Sequence, residues 1–117
     1  MEDWERDFEW LRVRHFVKDM VHKEGLPDLE TVLFLIGVQE LGQLPKEKFT
    51  KEEKQDLMHI AVCTLLEPEG FYRFEGKDGD GWPHWKELKP FNIKGADNQE
   101  AYLIDKIIQY FDKYIEQ

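Results

Sequence analysis

The chain has 117 residues, of which 41% are hydrophobic, 14% aromatic and 35% charged, and its formal net charge is -9. The length predicts a single domain over residues 1–117, and the hydrophobic content argues against a disordered chain. The negative charge argues against binding to nucleic acid or to an anionic membrane surface, because both need clustered Lys and Arg.

The N-terminus is acidic, where a secretory signal needs positive charge and an apolar run. The longest apolar stretch, residues 32–38, is too short to span a bilayer. The single cysteine, Cys63, cannot form an internal disulfide. We therefore expect a cytoplasmic protein without a membrane segment.

The first predicted helix covers residues 2–23 and carries two apolar stripes. The main stripe consists of Trp10, Val13, Phe16, Val17, Met20 and Val21. Trp4, Phe8 and Leu11 lie nearly opposite to it at helical spacing. Such a helix must be covered on two sides, either by its own chain or by a second copy, so these three residues are the candidate interface of a homodimer.

Three further helices are predicted. Residues 27–41, with Pro27 in the first helical position, are apolar on almost every side and favour a buried helix. Within it Gly37 indicates a close crossing, and Gly42 is the expected stop. Thr50 and Glu53 form a capping-box pattern that opens a helix ending near residue 66. Asp97 and Glu100 repeat the pattern before the last helix.

Residues 70–88 differ from the rest of the chain because helix packing does not explain them. Residues 72–75 and 82–87 are β-prone and are separated by the turn-rich sequence 76–81. Pro83 cannot donate a backbone hydrogen bond to a ladder, so its strand must be an edge or be irregular there. The pattern predicts a short β-hairpin or an ordered loop.

Residues 76–87 are similar to an EF-hand calcium loop. Asp78 and Asp80 occupy its third and fifth positions and Glu87 its twelfth. The first position is Gly76, which brings no carboxylate, and the eighth is Pro83, which lacks an N–H group. The flanking segment is strand-like, so the pattern also fits a glycine-rich turn whose aspartates bond the nearby backbone.

A second candidate metal site lies on the first predicted helix. His15, Asp19 and His22 have the spacing i, i+4 and i+7, which places all three on one face. Imidazole and carboxylate groups suit zinc or another transition metal. The alternative is an ordinary solvated helix face.

The aromatic segment is the third candidate site. His84 lies between Trp82 and Trp85, with Tyr72 and Glu75 on the preceding strand. Aromatic rings beside a histidine and an acid suit a sugar, a nucleobase or a peptide, and His84 with Glu75 or Glu87 would suit proton transfer. The alternative is that the aromatic side chains close the core while His84 faces solvent.

Signatures of catalysis are absent from the sequence. It has no phosphate-binding glycine loop, no nucleophile elbow and no H-E-x-x-H motif. Cys63 has no basic neighbour in sequence, which favours an inert buried thiol. No cofactor is expected.

Residues 26–43, residues 50–63 and the D-G-W-P-H-W run of residues 80–85 resemble a small family of uncharacterised bacterial proteins. The resemblance covers most of the chain and implies a cytoplasmic protein. It implies no activity, ligand or site residue.

These observations predict a mainly α, single-domain bundle of four principal helices, with a hairpin or ordered loop between the third and the last. The favoured functional hypothesis is a non-enzymatic interaction or scaffold protein that self-associates. The alternatives are a small-molecule binder or enzyme that uses the aromatic segment, and a metal-binding protein.

Overall fold

The structure, a computed structural model, describes residues 2–21, 24–42 and 48–115. Its elements in chain order are α1 Asp3–Val21, α2 Leu29–Leu41, α3 Lys51–Leu66, a 3-10 turn at Glu67–Glu69, β1 Tyr72–Lys77, β2 Pro83–Glu87 and α4 Ala96–Ile115. The predicted mainly α fold of four helices, with a hairpin between the third and the last, is confirmed. None of the helices in the described ranges is long and apolar enough to cross a membrane.

The chain forms two compact units. One comprises Met1–Val32 and Ile93–Gln117, and the other comprises Leu33–Asn92.

In the first unit α1 packs against α4. The buried side chains of the two helices are Val13, Val17, Ile104, Ile107, Ile108 and Phe111. The rings of Phe16 and Phe111 meet edge to face with centroids 6.0 Å apart. Of the main apolar stripe predicted for α1, Val13 and Val17 are thus buried and Phe16 contacts α4, whereas Met20 is exposed.

The second unit contains a close contact between α2 and α3. A Cβ atom added at Gly37 would lie 2.0 Å from the backbone oxygen of Leu57. Only glycine fits there, so the predicted close crossing is confirmed. Leu41, Leu57 and Ile60 form a buried cluster beside this crossing.

The caps of α2 correct one prediction. Asp28 accepts a hydrogen bond from the backbone N of Thr31 at 2.9 Å. The pKa of Asp28 is lowered chiefly by a hydrogen bond with the Thr31 side chain, and next by this backbone bond. The helix therefore begins at Leu29, and Pro27 lies before it. The predicted stop at Gly42 is confirmed, since its φ is +74° and its N–H group donates to the carbonyl of Val38.

The predicted N-terminal cap is found in α3 but not in α4. Thr50 and Glu53 form both bonds of the predicted capping box, which is confirmed. In α4 the prediction that Asp97 is the cap is wrong, because the helix begins at Ala96 and Gln99 N already donates to the carbonyl of Gly95. Asp97 lies in the first turn instead.

The hairpin pairs β1 with β2 in antiparallel register. Tyr72 is opposite Glu87 and Phe74 is opposite Trp85, and the register shifts between Phe74 and Gly76. Gly76 takes a φ of +106° at this irregularity, a conformation that suits glycine.

Candidate functional site

The outer face of α1 carries the largest exposed aromatic side chains of the described residues. Trp4 is 71% exposed, Phe8 64% and Leu11 44%. These are the three residues of the second stripe predicted from the sequence. No described part of the chain covers them, so an apolar strip about two helical turns long faces outward.

A groove of about 400 Å³ runs beside this strip within the first unit. Trp4, Phe8 and Ile108 form its apolar lining. Its charged lining consists of Glu5, Glu9, Arg12 and Asp112. The groove therefore combines aromatic surface with charged edges, as protein interfaces do.

Ion pairs hold the start of α1 in place. Arg6 donates from Nε to Asp105 Oδ1 at 2.8 Å and from a terminal nitrogen to Oδ2 at 3.1 Å. The same guanidinium reaches Asp3 at 2.9 Å, and the bond to Asp105 contributes most to raising the pKa of Arg6. Such a bidentate pair fixes the orientation of α1 against α4. Trp4 and Phe8 are therefore carried by a helix whose position is fixed.

The residues predicted to form the aromatic site point in two different directions from the hairpin. Trp82 packs against the buried cluster of Leu41, Leu57 and Ile60. The ring of Tyr72 meets that of His59 on α3, with centroids 6.1 Å apart. These contacts place two of the predicted binding residues against the helices of their own unit.

His84 points away from that packing. Its side chain is 61% exposed, and its Nε2 lies 2.8 Å from Asp78 Oδ2. Glu75, the acid predicted to assist it, lies at the strand irregularity and pairs with Arg73 at 3.2 Å. The structure therefore does not bring His84 and Glu75 together as a proton-transfer pair.

The carboxylate of Asp78 organises the turn. Its Oδ1 accepts from the backbone N of Asp80 at 2.9 Å and of Trp82 at 3.0 Å. Together with the bond from His84, which contributes most, these bonds lower the pKa of Asp78. The turn thus uses Asp78 as a backbone acceptor, while Glu87 lies on β2 opposite Tyr72.

The other predicted metal site is partly visible. His15 and Asp19 are exposed on α1, and His22 lies outside the described residues. Across the described ranges, no three His, Cys, Asp or Glu side chains are grouped so that they would hold a metal ion.

A second groove, of about 260 Å³, lies between α3 and the hairpin in the second unit. Phe74 and Trp85 line it, with ring centroids 5.2 Å apart. Glu40, Glu67 and Lys77 are its charged lining residues. Trp85 Nε1 is shielded from solvent and has no hydrogen-bond partner within the described part of the chain. Of the binding residues predicted from the sequence, Trp85 lines this groove. The sequence did not pair it with Phe74, because the groove depends on how the hairpin packs on α3.

Cys63 is fully buried on α3, with its Sγ 3.5 Å from His59 Nε2. Burial raises the pKa of Cys63 to about 12, and the nearby charge of Glu87 adds to the effect. A thiol in such surroundings stays protonated and is a poor nucleophile.

Comparison of the chain with protein-family models, with curated proteins and with solved structures gave no match. The functional argument therefore rests on the surfaces described above.

Proposed function

We propose that this protein is a non-enzymatic, cytoplasmic interaction protein that self-associates through the outer face of α1. The observation that carries the proposal is the exposure of Trp4 and Phe8, at 71% and 64%. Contiguous exposed aromatic surface marks interaction sites, since burying it in a partner is favourable. Covering a side chain such as Phe8 contributes about 2 kcal/mol.

Three features make a second copy a suitable partner. Isologous dimers are the commonest assembly of soluble proteins, and a helix face can pack on itself about a two-fold axis. Trp is enriched among the residues that dominate binding energy at interfaces. The pairing of Arg6 with Asp105 holds the face in one orientation, so little ordering cost accompanies binding.

Sedimentation velocity over a wide range of concentration tests the proposal. We expect a concentration-dependent species with twice the chain mass of 14.1 kDa. The double variant Trp4→Ala/Phe8→Ala should remain monomeric with an unchanged circular dichroism spectrum. A wild-type chain that stays monomeric at millimolar concentration would exclude self-association.

Met20→Ala is the matched control. Met20 is also on α1 and is 52% exposed, but it lies about 180° around the helix from Leu11. Its truncation removes a similar exposed apolar group from the same helix, so the association of this variant should equal that of the wild type. Equal weakening by Met20→Ala would show that general hydrophobicity, and not this face, drives association.

The groove beside the hairpin supports a second candidate function, the binding of a small aromatic cation. Its two rings offer a stacking surface, and its lining has two carboxylates against one ammonium group. Tryptamine titration followed by NMR would give shifts confined to the Phe74 and Trp85 side chains. Shifts of equal size over the whole chain, or none at millimolar tryptamine, would exclude this site.

A further inference from the structure

The charges of α1 are divided between its two halves. The acidic residues of the first half are Asp3, Glu5, Asp7 and Glu9, and the basic residues of the second half are Arg12, Arg14 and Lys18. Arg6, a base in the acidic half, is engaged by Asp105 and Asp3. Asp19 is the acid that follows the basic residues. Arg14 donates from Nε to the carbonyl of Pro27 at 2.7 Å. The first half of α1 is thus mainly acidic and the second half mainly basic, and Glu5 and Arg12 carry this division to the groove beside Trp4 and Phe8.

Two pairs of residues on this face are separated by seven positions. Trp4 and Leu11 form the apolar pair, with Phe8 between them. Glu5 and Arg12 form the charged pair, and both line the groove beside Trp4 and Phe8. Seven residues are about two helical turns, so the members of each pair lie along one edge of the helix.

We infer that the second copy docks antiparallel on α1, with Phe8 on the two-fold axis, Trp4 against Leu11 of the other chain, and Glu5 opposite Arg12 of the other chain. This inference rests on the proposed self-association and specifies its geometry. In an antiparallel pair of identical helices, residues before the axis on one copy meet residues after it on the other. Each contact therefore occurs twice.

The apolar and the charged contacts select the same arrangement. With Phe8 on the axis, Trp4 lies four positions before it and Leu11 three after it, while Glu5 lies three before and Arg12 four after. A parallel pair would bring Glu5 onto Glu5 and Arg12 onto Arg12, which repel. The aromatic contacts supply affinity, and the charges fix direction, which is the usual role of charge at interfaces.

Arg12 is placed to serve both copies. In the single chain its guanidinium contacts Glu9 Oε2 at 2.9 Å and is 36% exposed. A guanidinium has five N–H donors, so the bond to Glu9 leaves donors for Glu5 of the second copy.

A charge-swap cycle tests the arrangement. Glu5→Arg and Arg12→Glu should each raise the dissociation constant about tenfold, because each places like charges opposite each other at two symmetric positions. The double variant Glu5→Arg/Arg12→Glu should recover the wild-type constant. Asp19→Arg is the matched control for Glu5→Arg. It makes the same change in charge on α1 but lies about 16 Å along the helix from Phe8, so it should have little effect.

The outcomes separate the two proposals. Suppose that Trp4→Ala/Phe8→Ala abolishes the wild-type dimer, but the charge-swapped double variant does not recover the wild-type dissociation constant. That result would overturn the antiparallel arrangement and leave self-association standing. A monomeric wild type would remove both. Thermal melts of each variant establish that it is folded.

Disulfide cross-linking gives an independent test of direction. A mixture of the Glu5→Cys and Arg12→Cys variants should form a mixed disulfide under mild oxidation, faster than either variant alone. The native Cys63 can remain, since its thiol is buried. Faster cross-linking of each variant with itself would show a parallel dimer, and no cross-linking in a mixture that dimerises would place the contact elsewhere; either result overturns the inference.

Discussion

Helix α1 and the β-hairpin each carry a group of large aromatic side chains, but the two groups are used differently. On α1, Trp4 and Phe8 project outward and no described residue covers them. On the hairpin, Trp82 packs on a buried cluster and Tyr72 meets the ring of His59. An aromatic residue in an irregular segment is therefore weaker evidence for an interaction surface than one on the uncovered side of a packed helix.

The largest expected effect is that of Gly37→Ala, which tests the packing of α2 on α3 in the unit that contains the hairpin. The added Cβ would lie 2.0 Å from the backbone oxygen of Leu57, and a backbone atom cannot turn aside as a flexible side chain can. We expect the free energy of unfolding to fall by about 3 kcal/mol or more, although alanine is otherwise the better helix former. Urea denaturation measures the change.

Gly79→Ala is the control for that substitution, because nothing lies within 4 Å of its added Cβ and its φ is not positive. Its stability should stay close to that of the wild type. An equal loss in both variants would mean that the contact between Gly37 and Leu57 is not responsible.

A pair of tryptophan truncations compares the two regions directly. Trp82→Ala removes a side chain packed against Leu41, Leu57 and Ile60, so it should lower the free energy of unfolding by about 3 kcal/mol. Trp4→Ala removes an exposed side chain and should change it by no more than about 0.5 kcal/mol at concentrations where the chain is monomeric. Denaturation at low protein concentration measures both, and equal losses would contradict the contrast drawn here.

The reactivity of the Cys63 thiol tests the packing around α3 in the wild-type chain, without any substitution. With a pKa of about 12, roughly one thiol in ten thousand is ionised at pH 8. We expect labelling by a disulfide reagent at pH 8 only as fast as the chain unfolds, and complete labelling in urea. Rapid labelling of the folded chain would show that the region around α3 is open to solvent.

The smallest expected effect is at the hairpin turn. The pKa of Asp78 is lowered in the folded state, chiefly by the bond from His84. Its ionised carboxylate therefore stabilises the turn at pH values above 3.8, the ordinary pKa of this group. That contribution is lost as the pH falls through the lower folded pKa. Asp78→Ala should reduce Tm slightly at pH 6, and the difference should shrink towards pH 2.5.

Asp78→Asn serves as the control because it keeps one acceptor oxygen for the backbone N–H groups of Asp80 and Trp82. The Tm of Asp78→Asn should therefore lie between that of Asp78→Ala and that of the wild type at pH 6, and its advantage over Asp78→Ala should not vary with pH. A difference between wild type and Asp78→Ala that does not vary with pH would mean that the charge of this carboxylate does not stabilise the turn.

Local patterns predicted much of the fold because their causes are local. The capping box of Thr50 and Glu53 and the stop at Gly42 follow from short-range hydrogen bonds and backbone sterics, and both were recovered. The starts of α2 and α4 were each misplaced by two residues, because spacing alone does not decide at which of several neighbouring positions a helix begins. At α2 the side chain of Asp28 caps the helix.

The candidate sites were less predictable. A carboxylate in a glycine-rich loop suits both a metal ligand and a turn acceptor, so residue types alone did not decide the role of Asp78. The second stripe of α1 was visible in the sequence, but its exposure depends on whether another element packs on it. The groove of Phe74 and Trp85 depends on how the hairpin packs on α3, which no sequence pattern specifies.

The irregularity between Phe74 and Gly76 has a consequence for how copies of the chain can meet. Within the described residues the sheet has two strands, so each strand has one outer edge, the kind of surface on which further strands can pair. On β1 the N–H of Phe74 donates to a carboxylate oxygen of Glu67 at 3.3 Å. The shifted register interrupts β1, and Pro83 deprives β2 of a donor at its first residue. These features oppose edge-to-edge pairing of the ribbon between copies. The self-association proposed above uses a helix surface instead, and an isologous contact of that kind ends with two chains.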